Sequence, residues 1–236
     1  MVSMESGAWF FKSHLLNTII RLLEVTSKEG NLLTYEEVLG VAGEDEIDYL
    51  VSEGALIPVK GGFVVSRVRL CLAGFKWTSE PEKLAEKLTW QEFEDVCADG
   101  LTEHGFKVRK HVILQVDGRW EIDLLGFKRN TVLAVDCKRW LRWRKPKKHA
   151  LMKAVSLQEK RCKALAKAIR NKTLRVATVE KQDNTVYIYP VLVTAYPPPD
   201  MFYDRVPVVP LYMFNEFLLN FEAVCDKLKR ITVTLG

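Results

Sequence analysis

Cysteine and histidine are scarce and scattered in this chain: five Cys and four His among 236 residues, with no CxxC pair and no HxxxH spacing. That spacing excludes an ordinary tetrahedral zinc cage, and an odd number of distant thiols does not read as a disulfide framework. The chain is therefore expected to be cytoplasmic and reduced. No apolar run approaches the ~20 residues that cross a bilayer, so neither a membrane helix nor a membrane partner is expected. The first twenty residues hold only a short apolar patch, interrupted by Lys12 and His14, which is not the layout of a signal peptide. Internal repeats and low-complexity tracts are absent as well.

What is present suffices for a folded core: 48% of residues are hydrophobic and 28% charged. The net charge of +5 conceals a segregation. Residues 138–181 carry sixteen Lys and Arg against two acids, and the remaining segments, 1–80, 81–137 and 182–236, are each net acidic as a whole. Such a block suits a polyanion, the plain alternative being a solvated helix face.

In residues 1–75, Leu15, Leu16, Ile19, Leu22 and Leu23 recur at helical intervals, and Thr34 with Glu37 forms a capping box that opens a second helix. A third helix fits 44–53. Residues 55–59 and 63–69 around Lys60-Gly61-Gly62 read as a hairpin. Three helices and a hairpin look like a winged helix. Its third helix carries Glu44, Asp45, Glu46, Asp48 and Glu53 and no base, and only the wing (Lys60, Arg67, Arg69) is basic. Acids would repel phosphates, so packing, dimerisation or a protein partner is expected of this acidic domain. Residues 76–88 read as a linker, and 89–236 as a second, α/β domain.

In that second domain, 89–104 form a helix with Trp90, Phe93, Cys97 and Leu101 on its apolar face and Glu94 at the buried border of that face. Three strands follow, turning at Asp117-Gly118 and near Arg129-Asn130. If Arg129-Asn130 make a two-residue turn, Asp123 comes beside Asp136; a three-residue turn shifts the register by one and keeps the two as neighbours. Asp136 and Lys138 leave the same strand face after the apolar run 132–135. Charges at the end of a buried strand are costly unless they are paired or bound to a metal. A buried salt-bridge cluster without catalysis is the bland account of the same residues.

Phe93-Glu94, Leu101, Gly105-Phe106, Glu121-Ile122-Asp123 and Val135-Asp136-Cys137-Lys138-Arg139, in that order, resemble the PD-(D/E)xK nuclease superfamily, and most of all Mrr-type endonucleases and archaeal Holliday-junction resolvases. Ile122 stands where the nominal Pro would be, and Asp136 where Glu is more common. The resemblance implies a restriction-endonuclease-like core, a mixed central sheet flanked by helices. It also implies a divalent-metal-dependent DNA nuclease using Mg²⁺, with Mn²⁺ as a substitute. Asp123 and Asp136 would be the main metal ligands, joined by Glu94 directly or through water, and Lys138 would orient or deprotonate the attacking water. A Gln or Lys on the following helix often lies near that water, and Gln158 is the matching position.

Arg139, Trp140, Arg142, Trp143, Arg144, Lys145, Lys147 and Lys148 form a basic, Trp-bearing stretch that leaves the strand directly. Its cations suit phosphates and its indoles suit bases. Helix 154–171 extends the basic surface. Strands are expected at 174–179 and 186–195, a short edge strand at 206–211, and a helix at 213–229 with an aromatic stripe. His14, His104, His111 and His149 form no spaced pair and are given no catalytic role. The leading reading is a DNA nuclease, possible substrates including structured or branched DNA, and duplex cutting would suit a homodimer. A non-catalytic nucleic-acid-binding scaffold with the same fold and an RNA-processing nuclease are the competing readings.

Overall fold

The computed structural model describes residues 3–26, 31–140, 148–174 and 184–235, with 3–13 described as backbone. By packing, the chain divides into two units, Met1–Phe93 and Glu94–Gly236.

The first unit is a small α+β domain. Helix α1 (Ser3–Val25) buries Leu15, Ile19, Leu22 and Leu23 along one stripe. Strand β1 (Leu32–Thr34) leads into α2 (Tyr35–Leu39), where the capping box of Thr34 and Glu37 is formed in both directions. Then come α3 (Glu44–Ser52), β2 (Leu56–Val59), β3 (Gly62–Val65), α4 (Arg67–Phe75) and α5 (Pro81–Ala85). The strands pair antiparallel in the order β1-β3-β2. Gly62 allows this pairing, because a Cβ there would stand 2.0 Å from the Leu33 carbonyl oxygen. One correction concerns the wing. The Ser66 side chain accepts from the Arg69 N–H and starts α4, so Arg67 and Arg69 are helical. Arg67 is buried, and its guanidinium bonds Thr26 Oγ1 at 3.0 Å, the Lys87 carbonyl at 2.7 Å and Glu92 at 2.5 Å. Residues 76–88 carry α5, with Pro81 in its first turn and Leu84, Ala85 and Leu88 buried.

The second unit is built on a mixed sheet, seven-stranded among the described residues. After α6 (Trp90–Glu103), within which the division between units falls, come β4 (Lys107–Gln115), β5 (Arg119–Lys128) and β6 (Thr131–Lys138). Helix α7 (Lys148–Arg170) crosses over to β7 (Thr185–Thr194), followed by β8 (Phe202–Tyr203), β9 (Val206–Pro210), α8 (Phe214–Leu219), α9 (Phe221–Val224) and β10 (Ile231–Thr234). The order is β4-β5-β6-β7-β9-β8. The β4–β5 and β5–β6 pairs are antiparallel, and β6–β7 and β7–β9 are parallel. β10 runs antiparallel to the first half of β7 (185–188), and β9 pairs with its last three residues. Leu125 packs with Cys162, Leu165 and Ile169 of α7, whereas Gly126, one residue on, meets Leu101 and Phe106. Adjacent strand residues point to opposite faces, so α6 and α7 cover opposite sides of the sheet.

Three expectations change in this unit. The 206–211 strand is interior, because β8 pairs outside it through Phe202↔Pro207 and Tyr203↔Val206. The 213–229 helix is interrupted at Asn220, which ends α8 and precedes α9. The β-branched Ile231–Thr234 run forms a strand that the helical reading passed over. Of the strand expected at 174–179, residues 175–179 lie outside the described residues.

Candidate active site

The site is set by the β5–β6 turn. Pairs run from Lys128↔Thr131 to Leu124↔Val135, a two-residue turn at Arg129-Asn130. One step further along this register, Asp123 faces Asp136. The ladder stops there because the Asp123 side chain takes over: its Oδ2 accepts the Cys137 backbone N–H at 2.7 Å, where a carbonyl would otherwise serve. Burial and then the charge of Asp136 raise the Asp123 pKa, opposed by the Cys137 amide, Lys138 and Arg161.

Asp136 ends the wholly buried run of β6 and is itself 1% exposed. Arg161 Nη1 donates to its Oδ1 at 2.7 Å. Lys138 Nζ lies 2.8 Å from each oxygen, with hydrogen-bond geometry toward Oδ1, and Oδ2 has no hydrogen-bond partner. A carboxylate this deep needs counter-charge, since an unpaired one costs several kcal/mol. Here a strand lysine and a helix arginine both supply it.

Strict alternation fails at Asp123. Trp120 and Ile122 before it, and Leu125 and Phe127 after it, all pack in the core on the α7 side. The strand therefore reverses its facing at this residue, as strands do beside sites that re-aim a side chain. The cause lies partly on β4. Pairs Lys110↔Leu124 and Val112↔Ile122 leave His111 and Asp123 facing each other without a ladder pair, and His111 adopts φ 50°. Left-handed backbone outside glycine is uncommon, though His tolerates it better than most. His111 Nε2 sits 3.3 Å from Glu94 Oε2, and Nδ1 sits 3.7 Å from Glu121 Oε1. Glu94, on α6, is 1% exposed, and its Oε1 is buried with no hydrogen-bond partner. Burial first, and the Asp123 charge second, push the Glu94 carboxyl up to about 7, with His111 pulling the other way.

Gln158 is fully buried on α7; its Nε2 donates to the Ala134 carbonyl at 2.8 Å, and its Oε1 faces Arg161 Nη1 at 3.4 Å. Arg139 and Trp140 are half-buried, Trp140 packing against the core formed by Leu151, Val155, Leu192 and Val208 among others. Lys148 is exposed at the start of α7. Arg142, Trp143, Arg144, Lys145 and Lys147 lie outside the described residues. Sequence reasoning missed two members. Arg161 was signalled only by its place three residues past Gln158 on the same helix. His111, given no role above, is brought against Glu94 by the register of β4 on β5.

Among the described residues no group of three or more His, Cys, Asp or Glu is placed so as to hold a metal ion as the side chains stand. The donor chemistry nevertheless fits a hard divalent cation. Glu94, Asp123 and Asp136 are hard oxygen donors, Asp123 is electrostatically coupled to both others, and Glu94 and Asp136 each hold a buried oxygen without a hydrogen bond.

The fold and these residues define a restriction-endonuclease-like domain, a mixed sheet flanked by helices with carboxylates and a lysine at the β5–β6 step. Residues 85–176 match the family model Mrr_cat, restriction endonuclease, which is consistent with an Mrr-like domain of the PD-(D/E)xK kind over that part of the chain. The match supports a nuclease, and nucleases of this kind generally use divalent metals. No curated protein matches the chain. Among solved structures it is similar to protein VC1899 from Vibrio cholerae, 12% identical with TM-score 0.35, over 93% of this chain and 55% of that one. It is also similar to Can2 from Sulfobacillus thermosulfidooxidans in complex with cyclic tetra-adenylate, 12% identical with TM-score 0.32, over 91% and 53%. The chain thus spans about half the length of these structures. No helix among the described residues is long and apolar enough to cross a membrane.

Proposed function

We propose that this chain is a divalent-metal-dependent nuclease that hydrolyses phosphodiester bonds of DNA, with Mg²⁺ or Mn²⁺ held by Asp123, Asp136 and Glu94. The observation that carries the reading is the placement of Asp123 opposite Asp136, one step beyond the last β5–β6 ladder pair, with Lys138 2.8 Å from Asp136 and an unbonded buried oxygen on Glu94. A bound cation would neutralise phosphate charge and lower the pKa of water. Lys138, two residues along the same strand face, holds a proton-bearing ammonium beside the reacting centre, where it orients water and offsets charge that develops on phosphate oxygens. Arg161 contributes a second fixed positive charge at Asp136. Gln158 fastens α7 to the Ala134 carbonyl and so holds Arg161 in place.

The exposed face of α7, the helix that supplies Gln158 and Arg161 to the site, suits a polyanion. Lys153, Lys160, Lys163, Lys167 and Arg170 are exposed on α7 at helical spacing, a continuous basic stripe. An apolar slot of about 190 Å³, lined by Trp120, Asp117, Lys160, Lys163 and Lys167 among others, adjoins it, with Lys167 paired to Asp117 and Lys160 and Lys163 exposed beside it. Phosphates on the lysines and a base against the indole would combine the two contacts that single strands use. By sequence charge alone, the basic residues of 139–148 are further candidates for phosphate contact, DNA being favoured over RNA by the restriction-endonuclease match.

The test is cleavage of branched, flapped, single-stranded and duplex DNA, and of RNA, in Mg²⁺, Mn²⁺ or chelator. Cation-dependent cleavage of DNA, lost in Asp123→Ala and Lys138→Ala, is expected. Cleavage that survives both substitutions overturns the site assignment. Binding without cleavage under every cation favours the non-catalytic scaffold, and cleavage of RNA alone favours the RNA-processing enzyme.

A further inference from the structure

We propose that His111 is a nitrogen ligand of the cation held at Glu94 and Asp123, so that the site prefers Mn²⁺ and similar transition ions to Mg²⁺. The inference rests on the metal-dependent reading above and adds a ligand to it. Three observations carry it. First, His111 interrupts β4 with φ 50° at the position facing Asp123, where strands on both sides keep their register. A non-glycine residue held in the left-handed region at mid-strand is costly, and such strain gathers where a side chain must be aimed. Second, Nε2 lies 3.3 Å from Glu94 Oε2. Two donors at about 2.1 Å on adjacent corners of one octahedral ion stand about 3 Å apart, so this separation already has the span of neighbouring ligands. The second oxygen of Glu94, buried and without a hydrogen bond, leaves that carboxylate with capacity for an ion. Third, Nδ1 of the same ring faces Glu121 Oε1 at 3.7 Å. At this distance the carboxylate bears on the ring through its charge, and it stands on the side where a metal-binding imidazole usually has its supporting acid.

The selectivity follows from the donor set. Carboxylate oxygens alone suit Mg²⁺ and Ca²⁺, whereas an imidazole nitrogen gains more from Mn²⁺ and the later transition ions.

The experiment uses the full chain, Mn²⁺ and Mg²⁺ alone, and no nucleic acid. Electron spin-echo modulation of bound Mn²⁺ reads a directly coordinated ¹⁴N, and calorimetry gives the affinities. The variant is His111→Asn, since Asn also accepts positive φ and keeps the backbone while removing the ring. Expected are ¹⁴N modulation in the native chain, its loss in His111→Asn, and a ~10–100-fold weaker Mn²⁺ affinity with Mg²⁺ affinity little changed. Mn²⁺ bound without ¹⁴N modulation in the native chain overturns the assignment of His111 and leaves the metal site standing. Modulation that persists in His111→Asn overturns it too, by placing the nitrogen on another residue. No binding of either ion overturns this proposal and the metal-dependent reading together. The native-chain spectrum decides even if the variant does not fold.

Discussion

Two buried glutamates, one in each unit, have similar surroundings on paper and opposite chemistry in the structure. Glu46 in α3 is 4% exposed, with His14 Nδ1 2.8 Å from its Oε1 and with Oε2 accepting from Thr18 Oγ1 at 3.0 Å and the Gly43 N–H at 2.9 Å. Glu94 in α6 is 1% exposed, with one long contact to His111 and one oxygen that receives nothing. Both are helix carboxylates beside a histidine. Glu46 is saturated by donors that tie α1 to α3, which makes it a structural clasp. Glu94 is left underfed beside a second carboxylate, so its charged form is disfavoured until something positive arrives. The acidity of α3, at odds with DNA reading, thus has one structural cause: its most buried acid is a cap and a tether.

Substitutions can break this contrast. The largest effect expected is on catalysis. Glu94→Gln should lower cation-dependent cleavage by about 10²–10⁴-fold, the usual range for a lost metal or proton-transfer group, while Glu46→Gln leaves the rate of the folded protein unchanged. Steady-state assays on both variants check this, and equal losses would erase the distinction. Next comes stability. Glu46→Ala removes a saturated buried acceptor and should cost about 2–4 kcal/mol in urea unfolding, whereas Glu94→Gln should not destabilise the metal-free protein at pH 8.

The third effect is a pH dependence of the metal-free protein. Because the folded pKa of Glu94 is raised to about 7, the folded state binds that proton more tightly than the unfolded chain. Its stabilising contribution is complete below the unfolded carboxylate value of about 4.3 and is lost as pH rises through about 7. Unfolding free energies from urea titrations in chelator should therefore fall between pH 5 and 8, by on the order of 1–3 kcal/mol, and Glu94→Gln should flatten that fall. A slope shared by both proteins would assign it elsewhere. The smallest effect concerns the surface: Lys163→Gln should reduce the slope of log affinity for DNA against log salt by about 1, and an unchanged slope would remove Lys163 from phosphate contact.

Much of this was legible in the sequence because it depended on local rules. A two-residue turn at Arg129-Asn130 brought Asp123 beside Asp136, and the Thr34–Glu37 box and the amphipathic faces of α1, α6 and α7 are set by neighbouring residues. What escaped depended on long-range pairing or on broken regularity. Ser66 ended the second strand of the hairpin because its hydroxyl caps a helix, which the β-rich run preceding it concealed. β10 needs β7 as a partner, and its four residues carry little signal of their own. His111 and Arg161 belong to the site through register and helix phase, not through any spacing along the chain, and the reversal of facing at Asp123 violates the alternation from which strand faces are read.

That reversal gives the Cys137 amide an unusual status. Its proton is held by the Asp123 side chain, not by a neighbouring strand's backbone. A carboxylate drawn toward an ion is drawn away from that proton. Under the proposed cation binding, one peptide N–H deep in the sheet would become a gauge of occupancy: its hydrogen-exchange rate or amide shift would register the loading of the site without substrate, product or label.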